Sequence, residues 1–370
     1  MMKIYVERND LMKALGHSHS VVEKKTTIPA LSHVLLQTEG TKLKITATDL
    51  ELTIIEVIDA DVEMEGSATV LESMFYEIVR KLPDGAKITL QMKENGNQLL
   101  LNSGASRFTL SCLPTKEFPS VQITELPYHF KIPAKDLLRL LNRTEFAMST
   151  EETRYYLNGI YIHPYQNQEL RAVATDGHRL ARVSVPLPEG AEDFPGIIIS
   201  RKTVNEILKI LPDQNSDVDI RLSETQITFT FENVFLSSRL IDGVFPDYEK
   251  AIPNGNNKVV RLQVNPFLKA VERVAIISSE HSRGLKIEAQ SGKLILSSVS
   301  SEIGSAVEEI EAHYGAESIE IGFNSKYLMD IAKQMENDEA EFSFADTNTA
   351  VIIQNLADAR SLYVLMPMRV

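Results

Sequence analysis

A chain of 370 residues, 43% apolar and 24% charged, has the composition of folded globular protein and the length of two to three domains, each able to bury its own core. A single cysteine, Cys112, excludes an internal disulfide and suits a reducing cytoplasm. It and the scattered histidines make no zinc-type spacing, no apolar run reaches the ~20 residues of a membrane span, and no basic-then-apolar leader opens the chain. Lys plus Arg number 38 against 51 Asp plus Glu, a net charge of −13, which excludes adhesion to nucleic acid by bulk charge alone.

In chain order, one pattern is written three times. Residues 3–57 read as a strand, a helix from near Asn9, then LSHVLLQT, GTKLKITATD and LELTIIEV. Residues 129–185 read as a strand, the helix AKDLLRLLNRT, then YYLNGIYIH, QELRAVATDG and HRLARVSV. Residues 261–310 read as a strand, the helix PFLKAVERVAI, then RGLKIEAQ, GKLILSSVS and a strand ending VEEI. A second helix follows in each copy: SMFYEIVRKLPDG, RKTVNEILKILPD and SKYLMDIAKQMEND, each succeeded by three short strands. Each copy closes on an apolar residue and a proline, at Phe118-Pro119, Phe245-Pro246 and Met366-Pro367, with the prolines 127 and 121 residues apart. The first-helix leucines Leu11, Leu137 and Leu268 are spaced 126 and 131. Two independent landmarks therefore give one period.

The local chemistry agrees with those elements. Asn265-Pro266 reads as a cap followed by proline at the first helical position, and Pro83 and Pro212 read as helix stops. Leu137, Leu138 and Leu141 share one helical face, as do Ile207, Leu208 and Leu211. Each copy is expected to hold two helices and about eight strands, with the apolar helix faces laid on sheet. The linkers are expected at Pro114–Pro127 and Asp247–Asn257.

Charge is distributed unevenly. Eleven-residue windows on the six expected helices together carry +7, which leaves −20 on the other 304 residues. A single basic helix is usually a solvated face. Six neutral or basic ones in an acidic chain point to one surface that could face a polyanion through diffuse phosphate contacts.

The most distinctive local stretch is Leu170–Val185, LRAVATDGHRLARVSV. Asp176-Gly177 between two β-prone runs predicts a hairpin with a tight type I′ turn. Thr48-Asp49 and Val299-Ser300 stand at the same place in the other copies. Asp176 and His178 invite an acid–base reading. No nucleophile, metal cluster or Gly-rich phosphate loop accompanies them, so a turn former and a polar group at a pocket edge is the favoured reading. Tyr155-Tyr156 read as strand aromatics facing opposite sides, one of them buried.

The threefold repeat, YYLNG at 155–159, ATDGHRLA at 174–181, FPDY at 245–248 and the terminal MPMRV together make the chain resemble the bacterial DNA polymerase III β subunit family, the sliding clamps, in collinear order over its whole length. The resemblance implies an α+β fold of three repeated clamp domains, at 1–125, 126–252 and 253–370. Each would have two helices packed on antiparallel sheet, and two chains would form a ring. It implies a non-catalytic, cytoplasmic homodimer that encircles double-stranded DNA without reading sequence and needs no cofactor. Its partners would be the DNA polymerase III catalytic subunit, the clamp loader, other polymerases and repair proteins.

The resemblance further implies a partner-peptide pocket walled by Leu157, Thr175, Gly177, His178, Arg179, Leu180, Pro246, Val364, Leu365, Met366, Pro367, Met368 and Arg369. A Met-rich apolar groove with a few polar handles suits a protein that binds many partners. Implied DNA contacts are Lys24, Lys25, Tyr155 and Tyr156. The implied subunit interface sets Arg107, Phe108 and Leu110 against Ile276 and Ile277, with Glu302, Glu308 and Glu309 nearby. The chain departs from the family pattern where Glu249, Lys250 and Ala251 follow FPDY, where Ser149-Thr150-Glu151-Glu152 makes an acidic loop, and at Ser73 and Met74. Two other readings stay open at this stage: an enzyme of nucleic-acid or nucleotide metabolism centred on Asp176 and His178, and a repeat protein that grips DNA by affinity alone.

Overall fold

The computed structural model describes residues 2–23, 26–94, 96–120, 125–211, 216–278, 283–335 and 338–369. The first repeat runs β1 (Lys3–Glu7), α1 (Arg8–His19), β2 (His33–Glu39), β3 (Lys42–Thr48), β4 (Leu52–Asp59), β5 (Asp61–Met64), β6 (Ser67–Leu71), α2 (Glu72–Lys81), β7 (Lys87–Met92), β8 (Gln98–Ser103) and β9 (Ser106–Leu113). The second runs β10 (Tyr128–Pro133), α3 (Ala134–Asn142), β11 (Gly159–Tyr165), β12 (Glu169–Thr175), β13 (Arg179–Pro186), β14 (Ile197–Ser200), α4 (Arg201–Ile210), β15 (Asp217–Leu222), β16 (Gln226–Phe231) and β17 (Val234–Arg239). The third runs β18 (Lys258–Gln263), α5 (Val264–Ala275), β19 (Gly284–Gln290), β20 (Lys293–Ser300), β21 (Gly304–Glu311), β22 (Ile319–Asn324), α6 (Ser325–Ala332), β23 (Glu339–Phe344), β24 (Val351–Asn355) and β25 (Asp358–Leu365).

All six expected helices are present, and every strand pairing is antiparallel. Four short strands, β5, β6, β14 and β22, escaped the sequence reading. β6, β14 and β22 each run directly into the second helix of a repeat, with no residue between strand and helix to mark the strand as separate. α5 begins at Val264 with Gln263 as its cap, not at Asn265-Pro266. Pro266 instead lies within the first turn, where its missing N–H breaks no helical hydrogen bond. Pro83 follows the end of α2 as expected, whereas Pro212 lies outside the described residues.

The chain packs as two compact units. One comprises Met1–Leu138, Pro188–Phe194 and Lys202–Leu240; the other comprises Arg139–Leu187, Pro195–Arg201 and Ile241–Val370. The middle repeat is thus shared between them. In the first unit one 13-stranded sheet runs β10-β15-β16-β17-β4-β3-β2-β6-β9-β8-β7-β1-β5. Strands of the second repeat enter it through the β17–β4 pairing, Val234↔Glu56 to Ser238↔Leu52. In the second unit an eight-stranded sheet, β14-β11-β12-β13-β25-β24-β23-β18, is joined by β13–β25, and a four-stranded sheet runs β21-β20-β19-β22.

The cores follow from alternation. β4 buries every second residue from Leu52 to Ile58, and β19 does so from Leu285 to Ala289. α1 lies beside α2, and α5 beside α6. Phe75, Phe229, Phe267 and Phe323 are fully buried, each contributing about 1.5–3 kcal/mol. Where charge enters the first unit's core it is partnered. Glu56 is held by His17 Nδ1 at 2.8 Å, and Glu72 by His19 Nδ1 at 2.9 Å.

Candidate functional site

The hairpin β12–β13 is present, with Thr175 paired to Leu180, but its turn is not type I′. Four residues, Asp176 to Arg179, make the turn. Asp176 Oδ1 accepts from the backbone N–H of His178 (2.9 Å) and Arg179 (3.0 Å), and Thr175 Oγ1 donates to Arg179 O (2.7 Å). Only Gly177 takes positive φ, +88°, so one glycine suffices where a type I′ turn needs two tolerant residues. The carboxylate is occupied in shaping the loop. No hydrogen bond joins it to the His178 ring, which is exposed and stacked on Tyr327 at 6.3 Å. That geometry removes the acid–base pair.

Arg179 anchors the turn from below. Its side chain is 8% exposed and bonds Asp176 (3.0 Å), Asp330 (2.6 Å) and Phe146 O (2.6 Å), with its guanidinium 4.2 Å from the Tyr327 ring centre. It is a buried structural cation beneath the turn.

Beside the turn lies an apolar cluster that includes Leu157, Val173, Leu180, Ile198, Phe245, Tyr248 and Val364, with Tyr156 and Ile241 packed against it. β25 brings the distant end of the chain here: Leu180 pairs with Val364 and Arg179 with Leu365. Met366 N then donates to His178 O at 2.8 Å, and Met368 N to Gly322 O at 2.8 Å. Leu365 is fully buried, Met366 is 45% exposed, Pro367 and Met368 are half-buried, and Pro246, Gly177, His178 and Arg369 are exposed. Of the groove residues expected from sequence, Leu157, Leu180, Val364, Leu365 and Met366 meet at one hairpin, with a buried apolar floor and an exposed Met366 beside it. Sequence reasoning missed Ile198, Phe245 and Tyr248 in that floor.

The replacement of a basic residue by Glu249 has a local reason. Its carboxylate accepts from Arg171 Nη1 at 2.6 Å, and Arg171 also bonds Tyr248 Oη at 3.2 Å. Burial pushes the Tyr248 hydroxyl up to about 12 and holds His163, 3.0 Å from it, below the ordinary imidazole range. The same environment keeps both neutral at pH 7.

Tyr155 and Tyr156 are not in a strand. They occupy a 3-10 turn, Glu152–Leu157, and β11 starts only at Gly159. Tyr155 is 54% exposed while Tyr156 packs on the apolar cluster, so one of the pair is nevertheless free. The acidic loop before them is partly neutralised, since Arg154 pairs with Glu151 at 2.5 Å. Lys24 and Lys25 lie outside the described residues. The helix charge also resolves by type. Arg139 and Arg143 are spent on Asp358, Arg80 on Glu77 and Arg273 on Glu308. Exposed Lys13, Lys81, Lys135, Lys269, Lys326 and Lys333 form no ion pair among the described residues.

Among the open strand edges are those of β9 and β21. β9 pairs with β8 along its length but with β6 only at Leu113 and Cys112, leaving the edge at Arg107, Phe108 and Leu110 free. β21 pairs only with β20, and around it Ile276 (74%), Val299 (80%), Ile303 (61%) and Val307 (66%) are exposed. Ile277 is half-buried, Glu302 is exposed, and Glu308 and Glu309 are paired within the chain with Arg273 and Lys293. An open edge with exposed aliphatics is a template for another strand. Sequence reading had not found Val299, Ile303 or Val307. No group of three or more metal-ligating side chains occurs among the described residues, and no described helix is long and apolar enough to cross a membrane.

Three repeats of two helices on antiparallel sheet, joined edge to edge, are the fold of a DNA clamp. Models of the N-terminal, central and C-terminal domains of the DNA polymerase III beta subunit match residues 2–122, 131–247 and 249–369. The beta sliding clamps of Caulobacter vibrioides and Pseudomonas aeruginosa are 44% and 36% identical to this chain, each over the full length of both proteins. Among solved structures, a sliding clamp from Bartonella birtlesii bound to griselimycin superposes with TM-score 0.97 at 43% identity. One from Caulobacter crescentus with polyethylene glycol bound gives 0.95 at 44%, both with complete coverage of both chains. The chain belongs to the DNA polymerase III beta subunit family.

Proposed function

We propose that this chain is a non-catalytic processivity factor: a homodimeric ring that encircles double-stranded DNA and tethers polymerase to it. The observation that carries the reading is the convergence of Leu157, Leu180, Val364 and Met366 on one hairpin, from segments some 200 residues apart in sequence. That groove would receive short linear peptides of the polymerase III catalytic subunit, the clamp loader, other polymerases and repair proteins. Tethering raises effective concentration and suppresses dissociation without any chemistry. Its walls would be the thirteen residues expected from sequence, with Arg179 acting from below as a support.

Three domains at 1–125, 126–252 and 253–370 fit both the repeats and the matched family segments. In the dimer, the free β9 edge with Arg107, Phe108 and Leu110 would receive the β21 edge and Ile276 and Ile277 of a second copy, closing a C2 ring. Lys24, Lys25, Tyr155 and the exposed helix lysines would keep the duplex centred through salt-sensitive contacts that carry no sequence information. Such a protein works in the bacterial cytoplasm and takes no cofactor.

The test is topological. The protein is loaded by its loader on nicked circular DNA, and the circle is then cut. Rapid loss on linearisation is expected, and retention on the linear product would overturn the ring.

A further inference from the structure

The groove turn has a twin in the first repeat. At Asp49 the same hydrogen bonds recur: Asp49 Oδ1 accepts from Glu51 N (2.9 Å) and Leu52 N (2.6 Å), and Thr48 Oγ1 donates to Leu52 O (3.1 Å). Leu50 takes φ +80° where Gly177 takes +88°. β4 pairs with β17 through Leu52↔Ser238 and Thr53↔Ser237, as β13 pairs with β25 through Arg179↔Leu365 and Leu180↔Val364. Arg239 N donates to Glu51 O at 2.8 Å, as Met366 N does to His178 O at 2.8 Å. Pro119 closes the first repeat as Pro246 closes the second. The scaffold of the partner groove is therefore built twice, and the second example also encloses a cleft, of about 390 Å3.

Its chemistry has been exchanged. Thr53 replaces Leu180, Ser237 replaces Val364 and Arg239 replaces Met366. The lining carries hydroxyls, with Thr48 and Thr53 Oγ1 2.8 Å apart, and Gln226 Nε2 donates to Ser237 Oγ at 2.8 Å. Arg239 is exposed and forms no ion pair among the described residues, while Asp49 is already engaged by Lys202. Leu50, 50% exposed, holds a left-handed conformation that L side chains rarely adopt, and with Pro119 it makes the cleft's apolar seat. The exposed Glu51 carboxylate on the rim disfavours a second acid beside the first.

We infer that this cleft is a second docking groove, taking an extended peptide of a partner protein that sets an aliphatic side chain on Leu50 and Pro119 and a single carboxylate on Arg239. It rests on the repeat geometry and does not require the first groove to be occupied. The hydroxyl and amide groups of the lining suit the peptide's backbone, and the lone cation selects its charge.

The probe is the full-length protein titrated into a fluorescein-labelled Gly-Ser-Leu-Asp-Ser-Gly amide, with a Lys-for-Asp peptide as control, read by anisotropy. Saturable binding is expected, at least tenfold tighter for the aspartate peptide. R239E should reverse that preference, R239K should keep it, L50G should weaken binding, and M366A in the first groove should leave it unchanged. Absence of saturation up to millimolar protein, equal binding of the two peptides, displacement by inorganic phosphate, or loss in M366A would each overturn the proposal. The linearisation assay reads the ring independently, so its failure and the failure of this groove are told apart.

Discussion

Arg179 offers the sharpest test of how the hairpin is held. R179M keeps the stem's volume and removes the guanidinium, leaving Asp176 and Asp330, 15% and 21% exposed, without their cation and Phe146 O without its donor. Removing one partner of a fully buried ion pair costs about 3–5 kcal/mol. The partial exposure of both carboxylates brings the expected loss down to about 2–4 kcal/mol, part of it the contact over Tyr327. The chain has no tryptophan, so hydrogen exchange read by mass spectrometry on β13 and β25 peptides is the suitable assay. Protection there should fall roughly 30- to 800-fold, at 1.4 kcal/mol per decade. A double-mutant cycle with D330N should show coupling of about 1.5–3 kcal/mol, the size of a charge-assisted hydrogen bond. If the two changes add to within about 0.3 kcal/mol, the bond at 2.6 Å carries no stability and the argument fails.

Three further outcomes are expected. A Cβ on Gly159 would lie 2.2 Å from Ile199 O, so G159A should separate β11 from β14 and cost about 1–3 kcal/mol or more in thermal or urea unfolding. Burial opposes ionisation of Asp358, but the Ser361 hydroxyl and Arg139 prevail and hold its carboxyl below the usual range. Its contribution is therefore complete above the unfolded value of ~3.9 and is lost as pH falls through the lower folded value. D358N should be less stable than wild type at pH 7, and the gap should close on acidification, measured by circular dichroism. I276D, at an open apolar surface, should shift sedimentation at micromolar concentration from dimer to monomer without changing the far-ultraviolet spectrum. An unchanged dimer would place the interface elsewhere.

The repeats, the helices and most strands were legible because their signals are local: apolar periodicity, prolines after the last turn, and turn residues between strands. The wall residues proposed for the groove came from family motifs, and the motifs did not reveal what each side chain touches. Arg179 was expected in the pocket wall, but its burial was not legible, because Asp330 reaches it from 151 residues away in sequence. The helix arginines read as part of a basic face. Arg139 and Arg143 are neutralised by Asp358, more than 200 residues distant. Tyr155-Tyr156 read as strand because β-prone residues continue without a break into β11. The 3-10 turn is closed by the Asn158 N–H bond to Tyr155 O, which no periodicity announces. Turn type was misread for a related reason: the Asp176 side chain, through its own hydrogen bonds, replaces the backbone solution that Asp-Gly suggests.

The pairing of β17 with β4 and of β13 with β25 has a mechanical consequence. Within each unit, successive repeats are fused by one strand pairing of five consecutive residue pairs, so a load across either join must break a whole ladder at once. Among the described residues the outer edge of β21 has no such ladder, and that of β9 has only two pairs, with β6. Each join between repeats therefore resists shear as a unit, and loss of any one hydrogen bond along it leaves the rest of the ladder to carry the load.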